Sequence, residues 1–116
     1  MRLRREGDHW VLVGGPVPPG SDAITIVRVI SVRASAADDE HLMDHERAHV
    51  RQWRELGIIG FLRRYLGSYL ASRRAGYAHR QAYLRIPLEV EAEAAAEAAD
   101  EERRGRRRRA AETSGG

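Results

Sequence analysis

Residues 40–57 read EHLMDHERAHVRQWRELG, and the way this stretch folds decides the rest of the chain. Leu42, His45, His49, Trp53 and Leu56 recur at helical spacing. Asp38 or Asp39 is placed to cap the start, and Gly57 stands where a helix stops. Within it lies His45-Glu46-Arg47-Ala48-His49, the HExxH pattern. Residues i and i+4 sit one above the other on a helix, so both imidazoles can reach a single divalent ion. Glu46 lies about a third of a turn away, too far round to join them as a ligand. It is placed to take a proton from water beside the metal. Arg47, Arg51 and Arg54 form a basic stripe on the same helix and are read as a solvated face.

The composition leaves few ways to complete such a site. The chain has 116 residues and no Cys, which excludes a disulfide framework, a thiolate nucleophile and sulfur ligands. A catalytic zinc needs three protein ligands and one open position, so the third ligand must be His, Asp or Glu. Glu89 and Glu93 lie one helical turn apart downstream, whereas Glu91 points about 160° away from Glu89. Glu89 as ligand, with Glu93 orienting a ligand histidine, is the economical assignment. His41 and His79 are the alternative ligands. With 5 His in the chain, chance order produces the motif roughly one time in fifty, so these downstream carboxylates carry weight.

Upstream, residues 1–8 are polar and read as frayed. Trp10–Val13 is a short strand ended by Gly14-Gly15-Pro16. Ala23–Val32 is Ile- and Val-rich, with Ile24, Ile26, Ile30 and Val32 on one face. Arg28 interrupts that face and marks a bulge or a break into two strands. A small antiparallel sheet is expected. Downstream, Ile58, Phe61, Leu62, Tyr65, Leu66, Tyr69 and Leu70 follow helical spacing, with Arg63-Arg64 and Arg73-Arg74 opposite. This helix is read as packed in the core, through Trp53, Phe61, Tyr65 and Tyr69, in preference to lying on a membrane surface. Gly76-Tyr77 opens a connection, and Pro87 suits the first turn of a third helix through Ala92–Ala99.

The fold expected is therefore α+β: a small N-terminal antiparallel sheet followed by three helices, one domain over residues 1–99. Residues 100–116 hold six Arg and four acids and read as a frayed helix end passing into a disordered tail. That tail has acids interleaved and no base-reading motif, so specific nucleic-acid binding is not expected. All 20 basic residues are Arg, which reflects genomic base composition rather than chemistry. No apolar run reaches the ~18 residues of a membrane span, and Val11-Leu12-Val13 is too short for a signal peptide. A cytoplasmic protein is expected, and the oligomeric state is open.

The segment HExxHVxQW, then Gly57, an aromatic helix, Gly76-Tyr77 and Pro87-Leu88-Glu89-Val90-Glu91-Ala92, resembles minimal gluzincin-type zinc metallopeptidases. Glu89–Glu93 is similar to the Glu-x-x-Ala-Asp type segment of CAAX prenyl endopeptidases. The resemblance covers residues ~23–98 and implies a zincin-like fold with Glu89 as third zinc ligand and Glu93 where the family has Asp. Arg47 and Arg51 depart from the uncharged residues the fuller pattern prefers. The activity implied is hydrolysis of peptide bonds in a peptide or protein substrate, by zinc-bound water with Glu46 as general base. An edge strand before the active-site helix would pair with substrate, here Ile24, Ile26, Arg28 and Ile30. Tyr77, His79 and Tyr83 are the candidate oxyanion donors. The competing expectation is a non-catalytic zinc-stabilised module that recognises a protein partner. A regulator touching nucleic acid through the Arg-rich tail is a third.

Overall fold

The computed structural model describes residues 1–115 and is α+β, a four-stranded sheet followed by three helices. The strands are β1 (Arg2–Glu6), β2 (His9–Val13), β3 (Ala23–Ile26) and β4 (Val29–Val32), in the order β1-β2-β4-β3. The sheet is mixed rather than antiparallel throughout, because β2 and β4 run parallel. The Pro- and Gly-rich segment after β2 carries the chain across, so that the later hairpin docks its second strand first. Residues 1–8 are not frayed. Arg2–Glu6 pairs along the whole of β2, and Glu6 meets Arg47 on the helix above.

Ala23–Val32 divides at Val27-Arg28 into a tight antiparallel hairpin. The turn resets the alternation of faces. Thr25 is paired beside Ile30, and Ala23 beside Val32, while Ile24 and Ile26 lie beside Ser31 and Val29. Ile30 and Val32 are accordingly in the core with Val11, Met43 and Val50, and Ile26 is exposed. Val27 takes φ 55, a left-handed position that β-branched residues rarely adopt. Its side chain packs on a second cluster formed by Trp53, Phe61, Ile86 and Leu88.

Helix α1 (Glu40–Arg74) starts at Asp39, whose side chain accepts the Leu42 amide at 3.1 Å. Gly57 interrupts it with φ 73 and ψ 170, a conformation open only to glycine, and the chain then resumes as helix. A short α2 (His79–Leu84) fills the connection after Tyr77. Helix α3 (Pro87–Ser114) begins with Pro in its first turn and lies along α1.

Helix α3 continues well past Ala99, through residues whose composition suggests a tail. Tertiary charge pairing supports the extension. The Arg103 guanidinium reaches Asp44 at 2.5 Å and Glu40 at 2.9 Å on α1, and also Asp100. Further along, Arg104–Glu101 and Arg106–Glu102 pair within the helix. Among the described residues no helix is long and apolar enough to cross a membrane.

Candidate metal centre

His45 and His49 project from one face of α1 towards Glu89 in the first turn of α3. Ligand atoms of the three lie within 4.8 Å of one another, a cluster that could hold a metal ion. Glu89 Oε1 is 2.8 Å from His45 Nε2 and 3.1 Å from His49 Nε2. All three side chains are largely withdrawn from solvent. His41 and His79 are not part of the cluster. His41 lies between Glu93 and Asp100, and His79 Nδ1 faces the Tyr69 hydroxyl at 2.8 Å.

The far side of each imidazole decides what its near side can do. Gln52 Nε2 donates to the Leu88 carbonyl at 2.9 Å, which turns Gln52 Oε1 towards His49 Nδ1 at 2.8 Å. The only arrangement that satisfies both has His49 Nδ1–H donating to the amide oxygen. In the neutral ring, Nε2 then offers a lone pair to the Glu89 carboxylate. His45 repeats the pattern, with Nδ1 facing Glu93 Oε1 at 3.3 Å and Nε2 facing Glu89. With both rings neutral, two imidazole nitrogens and a carboxylate oxygen converge as three acceptors. Such a set calls for a cation between them, either protons or a metal, and its donor chemistry fits a transition-metal ion. Glu93, expected to orient a ligand histidine, lies behind His45 and shares the same oxygen with His41 Nε2 at 2.7 Å.

The electrostatics of the metal-free site follow from the same contacts. Burial pushes the Glu89 carboxyl up. The hydrogen bonds from His45 and His49, the His49 charge and the Tyr65 hydroxyl outweigh it and hold Glu89 well below the usual carboxylate range. Burial pulls His45 down, but the hydrogen bond and charge of Glu89, with the Glu46 charge behind them, leave it raised.

Glu46 sits beside this cluster, buried, and accepts the Thr25 hydroxyl at 2.7 Å. That bond ties the carboxylate to β3 and leaves its second oxygen without a partner from Thr25. Trp53 Nε1 donates to the Thr25 carbonyl at 3.2 Å, so the same strand is held to α1 twice.

Tyr65 lies at the centre of the site. Its hydroxyl donates to Glu89 Oε2 at 2.5 Å, the oxygen not facing the histidines. Its ring stacks on Phe61, which stacks on Trp53, so the donor is fixed by a column of aromatics. The helical spacing placed Tyr65 in the core and gave no hint of its hydroxyl. Gln52, one turn after His49 on the same helix, is a partner for that histidine that local spacing alone could suggest.

Of the three candidate oxyanion donors, Tyr83 alone is near the cluster. Burial, and then the Glu89 charge, raise its phenol well above the ordinary value. Tyr77 is turned outward, with the Arg85 guanidinium 4.2 Å above its ring, and His79 is held by Tyr69. The expected edge strand is narrower than its four residues suggested. Ile24 and Ile26 are on β3, the sheet edge, but Arg28 is in the turn and Ile30 is buried on the interior strand β4. The Thr25 carbonyl on that edge is already engaged by Trp53.

Arg47 and Arg54 are not a free basic face. Arg47 bonds Glu6 and Asp44 at 3.0 Å each, and Arg54 pairs with Asp8 in the β1–β2 turn. Arg47, one of the two charges that depart from the expected pattern, and Arg54 tie the helix to the hairpin below it. Comparison with family models, curated proteins and solved structures finds no match for this chain.

Proposed function

We propose that this chain is a zinc-dependent metallopeptidase of minimal gluzincin type, with His45, His49 and Glu89 as ligands and Glu46 as general base. The observation that carries the reading is the convergence of His45 Nε2, His49 Nε2 and Glu89 Oε1, with the buried Glu46 carboxylate held beside them by Thr25. Two imidazoles and a carboxylate, with no sulfur, form a donor set that suits zinc and leaves a position open. Zinc held by His45, His49 and Glu89 would supply the Lewis acidity that activates a water and a peptide carbonyl. Glu46 takes the proton released as that water attacks, and returns it to the departing amine. Thr25 holds one carboxylate oxygen, and the other is the one that accepts the proton. Tyr83, near enough to Glu89 to feel its charge, is the candidate donor to the oxyanion that develops. Tyr65 and Gln52 fix Glu89 and His49.

Glu46→Gln tests this directly. The amide keeps an oxygen for Thr25 but cannot accept the proton. Zinc-loaded wild type is expected to cleave an unfolded protein or a mixed peptide library. The variant is expected to retain zinc and lose activity by about 10²–10⁴-fold. Failure of the zinc-loaded wild type to cleave such substrates, or an equally active Glu46→Gln, contradicts the proposal. A second reading, a zinc-stabilised interaction module, is favoured by the engagement of the Thr25 carbonyl on the edge where substrate would pair. It predicts that Glu46→Gln changes nothing, whereas chelation unfolds the chain.

A further inference from the structure

We infer that the outer face of α1 beyond Gly57, together with α2, is a docking surface for an anionic lipid bilayer. This stands independently of the peptidase reading. Phe61, Tyr65 and Tyr69 pack towards the core, and an apolar row beside them on this part of α1 is left uncovered. Ile58, Leu62, Leu66 and Leu70 form an i+4 row, and Ile59 lies beside it. These five are between 40 and 80% exposed. On an ideal helix they cover an arc of about 120°. Leu84 on α2 is exposed as well. The structure therefore departs from the core packing that the apolar spacing of 58–70 suggests. Only part of that spacing is spent inside.

Charge decides which occupant fits. Residues 56–88 contain six Arg (63, 64, 73, 74, 80 and 85) and no Asp or Glu. The rest of the chain carries 14 Arg against 17 acidic residues. The excess of positive charge is thus confined to the stretch that exposes the apolar row. Arg63 and Arg74 border that row on an ideal helix, and Arg73 lies at its end. A second copy docking face to face would set these six guanidinium groups against their equals. A single helix face is convex and offers no groove for a partner segment. A flat anionic surface satisfies both features. The guanidinium groups meet phosphates, and the aliphatic row enters the acyl boundary. No helix among the described residues spans a membrane, so the association is peripheral. Because Tyr65 ties the inner face of the same helix to Glu89, the bilayer would lie behind one wall of the metal centre.

Sedimentation of the full chain with lipid vesicles tests this. Wild type is expected to pellet with vesicles of phosphatidylglycerol and phosphatidylcholine, and at least about tenfold less with phosphatidylcholine alone. Ile59→Glu with Leu66→Glu is expected to lower the partition at least about tenfold. Each Arg→Gln change at Arg63, Arg73 or Arg74 is expected to lower it about fivefold, and Arg64→Gln, on the far side of the helix, to lower it less. All these residues are exposed, and an unchanged far-ultraviolet circular dichroism spectrum confirms that the variants fold. Equal partition onto anionic and neutral vesicles overturns the inference, as does undiminished binding by the double Glu variant. A wild-type dimer that the same variant splits, with no vesicle binding, assigns the face to a second copy and also overturns it.

Discussion

The two halves of α1 reverse the usual relation between polarity and burial. Before Gly57, the helix buries Glu46, His49 and Gln52 between the sheet and α3. Beyond Gly57, it leaves Ile58, Ile59, Leu62, Leu66 and Leu70 in solvent. Burying a polar side chain costs free energy unless each of its groups finds a partner. Here the partners are specific: Thr25 for Glu46, Gln52 for His49, and the Leu88 carbonyl for Gln52. A chain of 116 residues has few apolar side chains to spare for the surface. On the readings proposed above, the first half carries the chemistry and the second half the contact with a bilayer. What joins them is the aromatic column Trp53–Phe61–Tyr65, which crosses the break at Gly57.

That contrast can be broken most severely at Phe61. It is buried between Trp53 and Tyr65, and Phe61→Ala is expected to cost about 3–5 kcal/mol. Leu66→Ala, one turn on but facing outward, is expected to stay within about 0.5 kcal/mol. Urea unfolding of the two variants side by side measures the difference. Comparable losses would mean that the outward row supports the fold after all.

Gly57 is the next lever. An added Cβ meets nothing within 4 Å there, so any cost of Gly57→Ala is conformational. At φ 73 and ψ 170 that cost is expected to be about 2–3 kcal/mol in the same unfolding experiment. A neutral substitution would show that the two halves can run on as one straight helix.

The smallest effect sharpens the account of the first half. Gln52→Leu removes the acceptor behind His49 without touching the three ligand atoms. Zinc affinity, measured by competition with a chromogenic chelator, is expected to fall about 10- to 100-fold. An unchanged affinity would show that His49 needs no orienting partner.

The features readable in sequence were those that a single helix encodes. The i, i+4 histidines, the Asp39 cap, the break at Gly57 and Pro87 opening α3 all lie in local spacing. Glu89 was reachable because the absence of Cys narrowed the choice of third ligand. The features that escaped depend on distant pairing. The Val27-Arg28 turn holds none of the Gly, Asn or Asp that mark a two-residue hairpin, so the sequence leaves open whether Arg28 marks a bulge or a break. Arg2–Glu6 is too polar to read as a strand and becomes one by pairing with β2. The end of α3 gains support from Arg103 reaching Asp44 and Glu40, which lie some sixty residues earlier on α1. Tyr65 looked like core because its ring is core. Only its neighbour, Glu89, reveals the use of the hydroxyl.

The most direct measurement is metal content after equilibration with zinc and gel filtration, for wild type beside Glu89→Ala. One tightly held ion per wild-type chain and loss of that ion from the variant are expected. A wild type that emerges without metal, or a Glu89→Ala chain that keeps a full equivalent, would contradict the assignment of the site.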